Sequence, residues 1–462
     1  MSHPLLKVNP LLQEQAVALP TFRIHPVKAR EAVDNARRLF SAGELDQSER
    51  LTVETLLACP NCFVGYQLLG ELLDHQGMQD CAQQAYLGEL PDSLVHKYLS
   101  ASSLSVLSGA PTERQVVHRP ESFELSPPAS IEDTQKWRFG NKQVVANETW
   151  VDTVEDGSIW DDGHNTAVFD VAGGIVDEHS MGSMPVVNEL RQHCSPLYLG
   201  PRVFLLGARG GGNFYHWMTD ILPKLAILRD AGYEFRDSDR FVVSTFNKAF
   251  QKETLKACGL SAEQIVASCD SSPYFCGDLL VVPRLKNVMG LHMGGWLPRF
   301  LQDSLLPSKQ PGSDTGAEQK RIFVSRDPAA SNGRSIGNIV ELNKIFQQCG
   351  FEIVYPERLT LTEQASCFHN ASVIFAPHGA GLTNIVFCKP GTRVVEFYGA
   401  HIAPCYWAIS AIAGLKYFNE FCLPEGIPAD GDASTLAARR SAGFTVNVDR
   451  VYKLLAMVGI DR

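Results

Sequence analysis

Apolar positions fall into three textures along the 462 residues. Between residues 27 and 92, small and apolar side chains recur at helical spacing. Ala29, Ala32, Ala36, Leu39 and Phe40 precede Gly43; Gly65-Tyr66, Leu69-Gly70, Leu73, Gly77, Ala82 and Tyr86 precede Pro91. Small residues facing large ones at these offsets let paired helices pack closely, so residues 1–94 are expected to be helical. Residues 95–130 are rich in Ser, Pro and isolated charges, with Pro127-Pro128 near the end, and read as a linker or an extended wrap.

From residue 131 onward, short apolar runs alternate with helical segments. Strands are expected at Val203–Leu206, Phe241–Ser244, Leu279–Val282, Arg321–Val324, Glu352–Val354, Val373–Ala376 and Arg393–Phe397. Helices are expected from Phe214 and Gly295, and over 338–349, 361–370, 381–386 and 402–413. That alternation predicts an α/β fold with parallel, doubly wound sheets. Two such units in tandem, 131–310 and 318–440, predict two Rossmann-like domains facing a cleft, closed by a C-terminal helix over 441–462. In open α/β sheets, ligands bind beyond the carboxyl ends of the strands.

Composition is that of an ordinary globular protein, 45% hydrophobic and 20% charged. The formal charge of −10 speaks against broad nucleic-acid binding, which needs a basic surface. No apolar run reaches transmembrane length, and Met1-Ser2-His3-Pro4 lacks a signal-peptide start. The expected location is therefore cytoplasmic, with peripheral contact to an inner membrane allowed. Twelve scattered cysteines read as reduced core thiols. Cys59 and Cys62 form the one CxxC pair, which fits a turn between helices better than a zinc or redox site.

The chemistry concentrates at two places. After the strand ending at Ala376 comes Pro377-His378-Gly379-Ala380-Gly381-Leu382-Thr383-Asn384. Small residues leave room for a ligand to approach backbone amides, and a helix N-terminus favours phosphate. On the same rim the sequence places Ser325 and Arg326, then Arg334 and Asn338, and Glu396. Arg326 offers a planar fork for a diphosphate, and Glu396 a carboxylate for a ribose diol. Together they read as a nucleotide-diphosphate site that needs no metal.

The second place is Gly211-Gly212-Asn213-Phe214-Tyr215-His216-Trp217-Met218-Thr219-Asp220. Asn213 is a good N-cap. His216 and Asp220 then share one helical face, four residues apart. A carboxylate beside an imidazole fixes its tautomer and strengthens it as a base, which suits removal of a proton from an acceptor hydroxyl. Asp237-Ser-Asp239 and Asp161-Asp162-Gly-His164 are acidic strings, the first at the wrong end of its strand for a site. No metal and no resident cofactor are expected.

The segment Asn213 to Pro223 resembles the hallmark of glycosyltransferase family 61. Phe323 to Arg326, Arg334, Asn338, Glu341, Gly350-Phe351, Pro356-Glu357, Glu363-Gln364, Pro377 to Asn384 and Glu396 fit as well. The resemblance, to a bacterial capsule-type member, spans residues 135–420, and residues 1–94 resemble a tetratricopeptide repeat. It implies a GT-B fold and inverting, metal-independent transfer from a nucleotide sugar, usually a UDP-sugar. It places His216 and Asp220 on the acceptor side, where the pair is read as catalytic and either member as the base, with Asn213 and Tyr215 beside it. Ser325, Arg326, Arg334, Asn338, His378 to Asn384 and Glu396 fall on the donor side. The acceptor would be a saccharide, a lipid-linked glycan or a protein, and the helices would serve oligomerisation or a protein partner. The competing readings are a non-catalytic scaffold that keeps a nucleotide-binding fold, and a dinucleotide enzyme, which would show an early GxGxxG.

Overall fold

A computed structural model describes residues 26–59, 62–99, 107–131, 139–140, 142–285, 290–306, 320–326, 335–424 and 443–460. The described residues open with five helices, Pro26–Ser41, Leu45–Ala58, Phe63–His75, Gln79–Tyr86 and Asp92–Tyr98. Their contacts explain the small residues of the pattern. A Cβ on Gly70 would lie 2.3 Å from the Tyr86 ring, and one on Gly65 would lie 2.9 Å from Leu56. The helices share one apolar core with Trp160, Phe169, Val187 and Tyr274 of the following domain.

That domain carries a six-stranded sheet in the order Glu113–His118, Thr149–Glu155, Leu279–Arg284, Arg202–Leu205, Arg240–Val243, Ile265–Ala267. Its last four strands run parallel. Its first two run antiparallel to their neighbours, so the sheet is mixed rather than doubly wound throughout. Within residues 149–169 tight turns join consecutive strands with no crossover helix, and the pair Ser158–Asp161 and Thr166–Phe169 is antiparallel. A second, four-stranded sheet pairs Thr166–Phe169, Ser158–Asp161, Tyr274–Cys276 and Leu197–Tyr198.

The C-terminal sheet is parallel throughout, in the order Phe351–Val354, Lys320–Val324, Ala371–Pro377, Arg393–Tyr398, Lys416–Phe421, Ala129–Ser130. Ile374, Phe375 and Ala376 are fully buried, as expected for a strand covered on both faces. Strand order reverses between Lys320–Val324 and Ala371–Pro377. The crevice beyond their carboxyl ends is the topological switch point, where doubly wound sheets bind ligands.

Residues 95–130, expected as a linker or an extended wrap, are structured over 107–130. Glu113–His118 is an edge strand of the first sheet, Glu121–Leu125 pairs with Lys142–Ala146, and Ala129–Ser130 is the sixth strand of the last sheet. The segment therefore straps the two sheets together. Alternation within such short strands was masked by their flanking Pro and Ser. One continuous core joins Phe204, Trp217 and Ile221 of the first domain to Ile322, Ile374 and Leu382 of the second.

Candidate functional site

Arg326 leaves the end of the strand Lys320–Val324, at the switch point, and its guanidinium donates to the His378 carbonyl. A Cβ on Gly379 would lie 2.7 Å from that guanidinium, so glycine is what lets Arg326 lie across the turn. The chain then enters a 3₁₀ helix, Ala380–Phe387, whose first turn leaves N–H groups for a ligand. Within it Asn384 is fully buried, its Nδ2 donating to Gln364 Oε1 and the Gly381 carbonyl. Ser325 is buried with its N–H donated to Val354 O. Ser325 Oγ and Asn384 Oδ1 have no partner among the described residues, and buried polar atoms left so are sites for water or ligand.

His378 stands over this turn with Nδ1 2.5 Å from Glu396 Oε1, which leaves Nε2 for a ligand. Glu396, expected to meet a ribose diol, is completely buried, and its second oxygen accepts from the Tyr398 and Tyr417 hydroxyls. Its carboxylate holds His378 from beneath. The Asn338 amide donates to Val446 O (2.8 Å) and accepts from Val446 N (3.1 Å), tying the start of the helix Ile339–Gln348 to the residue after the strand Phe444–Thr445. Arg334 lies outside the described residues.

The other constellation sits where the chain leaves the strand Arg202–Leu205. Asn213 Oδ1 accepts from the Tyr215 N–H and caps a helical turn, Phe214–His216, that continues as one π turn, Trp217–Ile221. A π turn inside a helix is rare and recurs at functional sites. His216 Nδ1 and Asp220 Oδ2 are 2.7 Å apart. Thr219 donates to Asp220 Oδ1 at 2.9 Å, so both carboxylate oxygens are held and the imidazole keeps Nε2 for chemistry. The His216 side chain is nearly half exposed. Gly210, at φ +85°, has no Cβ to meet the His216 ring 2.9 Å away.

The two constellations meet. Tyr215 packs edge-on against Tyr406 (5.8 Å between centroids), and Tyr406 against His378 (5.4 Å). Tyr215 also packs against the His216 ring at 5.2 Å. An unbroken row of rings therefore runs from His216 to His378 and on to Arg326. Tyr215, expected on the acceptor side, belongs to this junction.

A cavity of about 1210 Å³ opens on the other flank of His216 and Asp220. Its floor is the loop Gly207–Asn213 with Lys224 and Arg284, and its outer wall is the N-terminal helices through Phe63, Tyr66 and Tyr86. Arg209 ties the two walls, donating to Leu87 O (2.6 Å) and Gly88 O (3.0 Å). Burial and the neighbouring Arg284 guanidinium push the Lys224 ammonium down to about 8. Lys224 Nζ donates to the Leu206 and Gly207 carbonyls. Neither Lys224 nor Arg284 was singled out from the sequence. Lys224 was within reach, because it continues the four-residue spacing of His216 and Asp220 on the same face.

The acidic strings serve the fold. Asp239 is buried against Arg202 at 2.7 Å, and Asp161 accepts from Ser244 and Ser268. Asp162 accepts the backbone N–H groups of His164 and Asn165. Cys59 and Cys62 are buried where two helices join.

The Glycosyltransferase 61 family model matches residues 214–395, the span that begins one residue after Asn213 and ends one before Glu396. A 61-residue stretch is 36% identical to the EGF domain-specific O-linked N-acetylglucosamine transferase of Xenopus laevis. That stretch is 13% of this chain and 12% of that protein. Among solved structures, a dodecameric iron-containing heptosyltransferase, TibC, in complex with ADP-D-β-D-heptose aligns over 71% of this chain and 85% of that one. At 9% identity and a TM-score of 0.25, that alignment defines no shared fold. Among the described residues no helix is long and apolar enough to cross a membrane.

Proposed function

We propose, from the premise that residues 214–395 form a glycosyltransferase 61 domain, that the protein is an inverting, metal-independent glycosyltransferase. It moves a sugar from a nucleotide sugar, a UDP-sugar first, to a hydroxyl of a saccharide, lipid-linked glycan or protein. The observation that carries this is the His216–Asp220 pair, 2.7 Å apart and joined through Tyr215 and Tyr406 to the His378–Arg326 turn. Proton acceptor and phosphate cradle then face the same reacting sugar across the junction of two domains, the arrangement of a GT-B enzyme.

In this reading the diphosphate lies at the switch point, on the N–H groups after Gly379, beside Arg326 and His378 Nε2. Asp220 holds the Nδ1 side of His216, so Nε2 takes the proton of the acceptor hydroxyl as its oxygen attacks the anomeric carbon. The bond to the diphosphate breaks on the opposite face, and Arg326 and His378 balance the charge of the leaving group. Positioning across the junction and charge stabilisation supply most of the rate, and the base contributes typically ~10²–10⁴-fold.

The direct test is a panel of UDP-, GDP- and ADP-sugars with excess EDTA, following nucleoside diphosphate release and the anomeric configuration of the product by NMR. Transfer with inversion that survives EDTA is expected. Retention of configuration, or activity abolished by EDTA and restored by Mg²⁺, refutes the mechanism.

A further inference from the structure

The cavity beside His216 and Asp220 is lined by two basic groups that form no direct ion pair among the described residues, although Asp161 and Asp220 act on Lys224, and Glu178 on Arg284, through space. Lys224 and Arg284 line its floor, and among the described residues neither has a carboxylate partner. Among the described residues, buried Arg284 Nε makes no hydrogen bond. The nearby carboxylates have other direct partners, with buried Asp161 accepting from Ser244 and Ser268. Asp152 and Glu178 pair with Arg114, Asp152 also with His179, and Asp220 with His216. A buried cation without a counter-ion is costly, and evolution of a core has no reason to keep two of them side by side unless a ligand completes them. Facing them across the cavity stands Phe63 on the first turn of the helix Phe63–His75, 61% exposed, an apolar ring presented to solvent. A wide cavity with an aromatic wall and a few convergent polar groups is the usual form of a small-molecule site.

We infer that this cavity is the acceptor subsite and that it takes a saccharide carrying an anionic group, a carboxylate or a phosphate. The anion sits against Arg284 and Lys224, a sugar ring lies on Phe63, and the reacting hydroxyl reaches His216 Nε2. The N-terminal helices are then part of the acceptor site rather than an appendage. Arg209, bonded to Leu87 O and Gly88 O, fixes their distance from the catalytic pair. An arginine fork grips either anion through two parallel hydrogen bonds. The inference rests on the glycosyl-transfer reading for the identity of the ligand, though not for the charge it must bear.

The test is calorimetric titration of the full-length protein, without donor, with three probes: a glucuronic acid-terminated disaccharide, its neutral glucose-terminated counterpart, and a hexose 6-phosphate. At least one anionic probe should bind tenfold or more tightly than the neutral one; the stronger of the two identifies carboxylate or phosphate as the natural group. Arg284→Gln should erase that preference. Phe63→Ala, at an exposed position that leaves folding untouched, should weaken all three by severalfold. Equal binding of anionic and neutral probes overturns the inference, and so does a preference that persists in folded Arg284→Gln protein. Nucleotide-sugar consumption by the wild type is read separately, and its absence counts against the proposed function alone.

Discussion

At the scale of single residues, two carboxylates that each hold a histidine sit in opposite surroundings according to the direction in which the fold turns them. Asp220 and Glu396 both accept from a histidine Nδ1, but Asp220 is at the edge of a cavity while Glu396 is sealed under two tyrosines. The rim position of Glu396 was readable from the strand, and its inward direction was not. One sequence clue existed: Tyr398 is two residues on, so alternation puts its hydroxyl on the Glu396 face. The Asn338 contact was unreadable for a similar reason, since an amide near a helix start reads as ligand-facing until its partner Val446, 108 residues away, is in place.

Lys224 yields a prediction at this scale. Its folded value, about 8, lies below the 10.5 of an unfolded lysine. Between those two values the unfolded chain binds the extra proton, so stability rises with pH there and the penalty is present in full below about 8. Denaturant unfolding from pH 7.5 to 10 should show that rise, and Lys224→Met should flatten it. An unchanged slope in the variant would assign the effect to another group.

At the scale of elements, four strands of the C-terminal sheet were legible as apolar runs alternating with helices, whereas Lys416–Phe421 and Ala129–Ser130 carry no such signature. The N-terminal sheet was half legible. Leu279–Arg284, Arg202–Leu205 and Arg240–Val243 carry the same signature, whereas the antiparallel strands from Glu113 to Phe169 are short and half-polar. The π turn at Trp217–Ile221 leaves no sequence signature that spacing reveals, since His216 and Asp220 stay in contact despite it.

Gly88 is the element-level hinge between the helices and the glycine loop. At φ +79° any other residue costs about 1–2 kcal/mol, and its Cβ would stand 2.3 Å from Arg209. Gly88→Ala should therefore lower the melting temperature and, by displacing Arg209, raise KM for the acceptor more than KM for the donor. Equal effects on both would mean that the contact only stabilises.

At the scale of the whole molecule, the N-terminal helices and the sheets they pack against share cores whose parts were read separately from the sequence. The helical core is continuous with Trp160, Phe169 and Tyr274. Removing residues 1–106 would uncover that apolar surface, so the truncated protein should aggregate or bind a hydrophobic dye. A soluble, monodisperse truncation would contradict the shared core. The strap 107–130 ties the first sheet to the last, which keeps His216 and Arg326 on one junction.

That junction is the centre of the account, and paired measurements on two variants test it most directly. Single-turnover sugar transfer and nucleoside diphosphate affinity should separate cleanly. His216→Ala should lose transfer by ~10²–10⁴-fold with nucleotide affinity within about threefold of wild type. Arg326→Ala should lose nucleotide affinity by tenfold or more. Unchanged transfer in the first, or unchanged affinity in the second, would contradict a shared site.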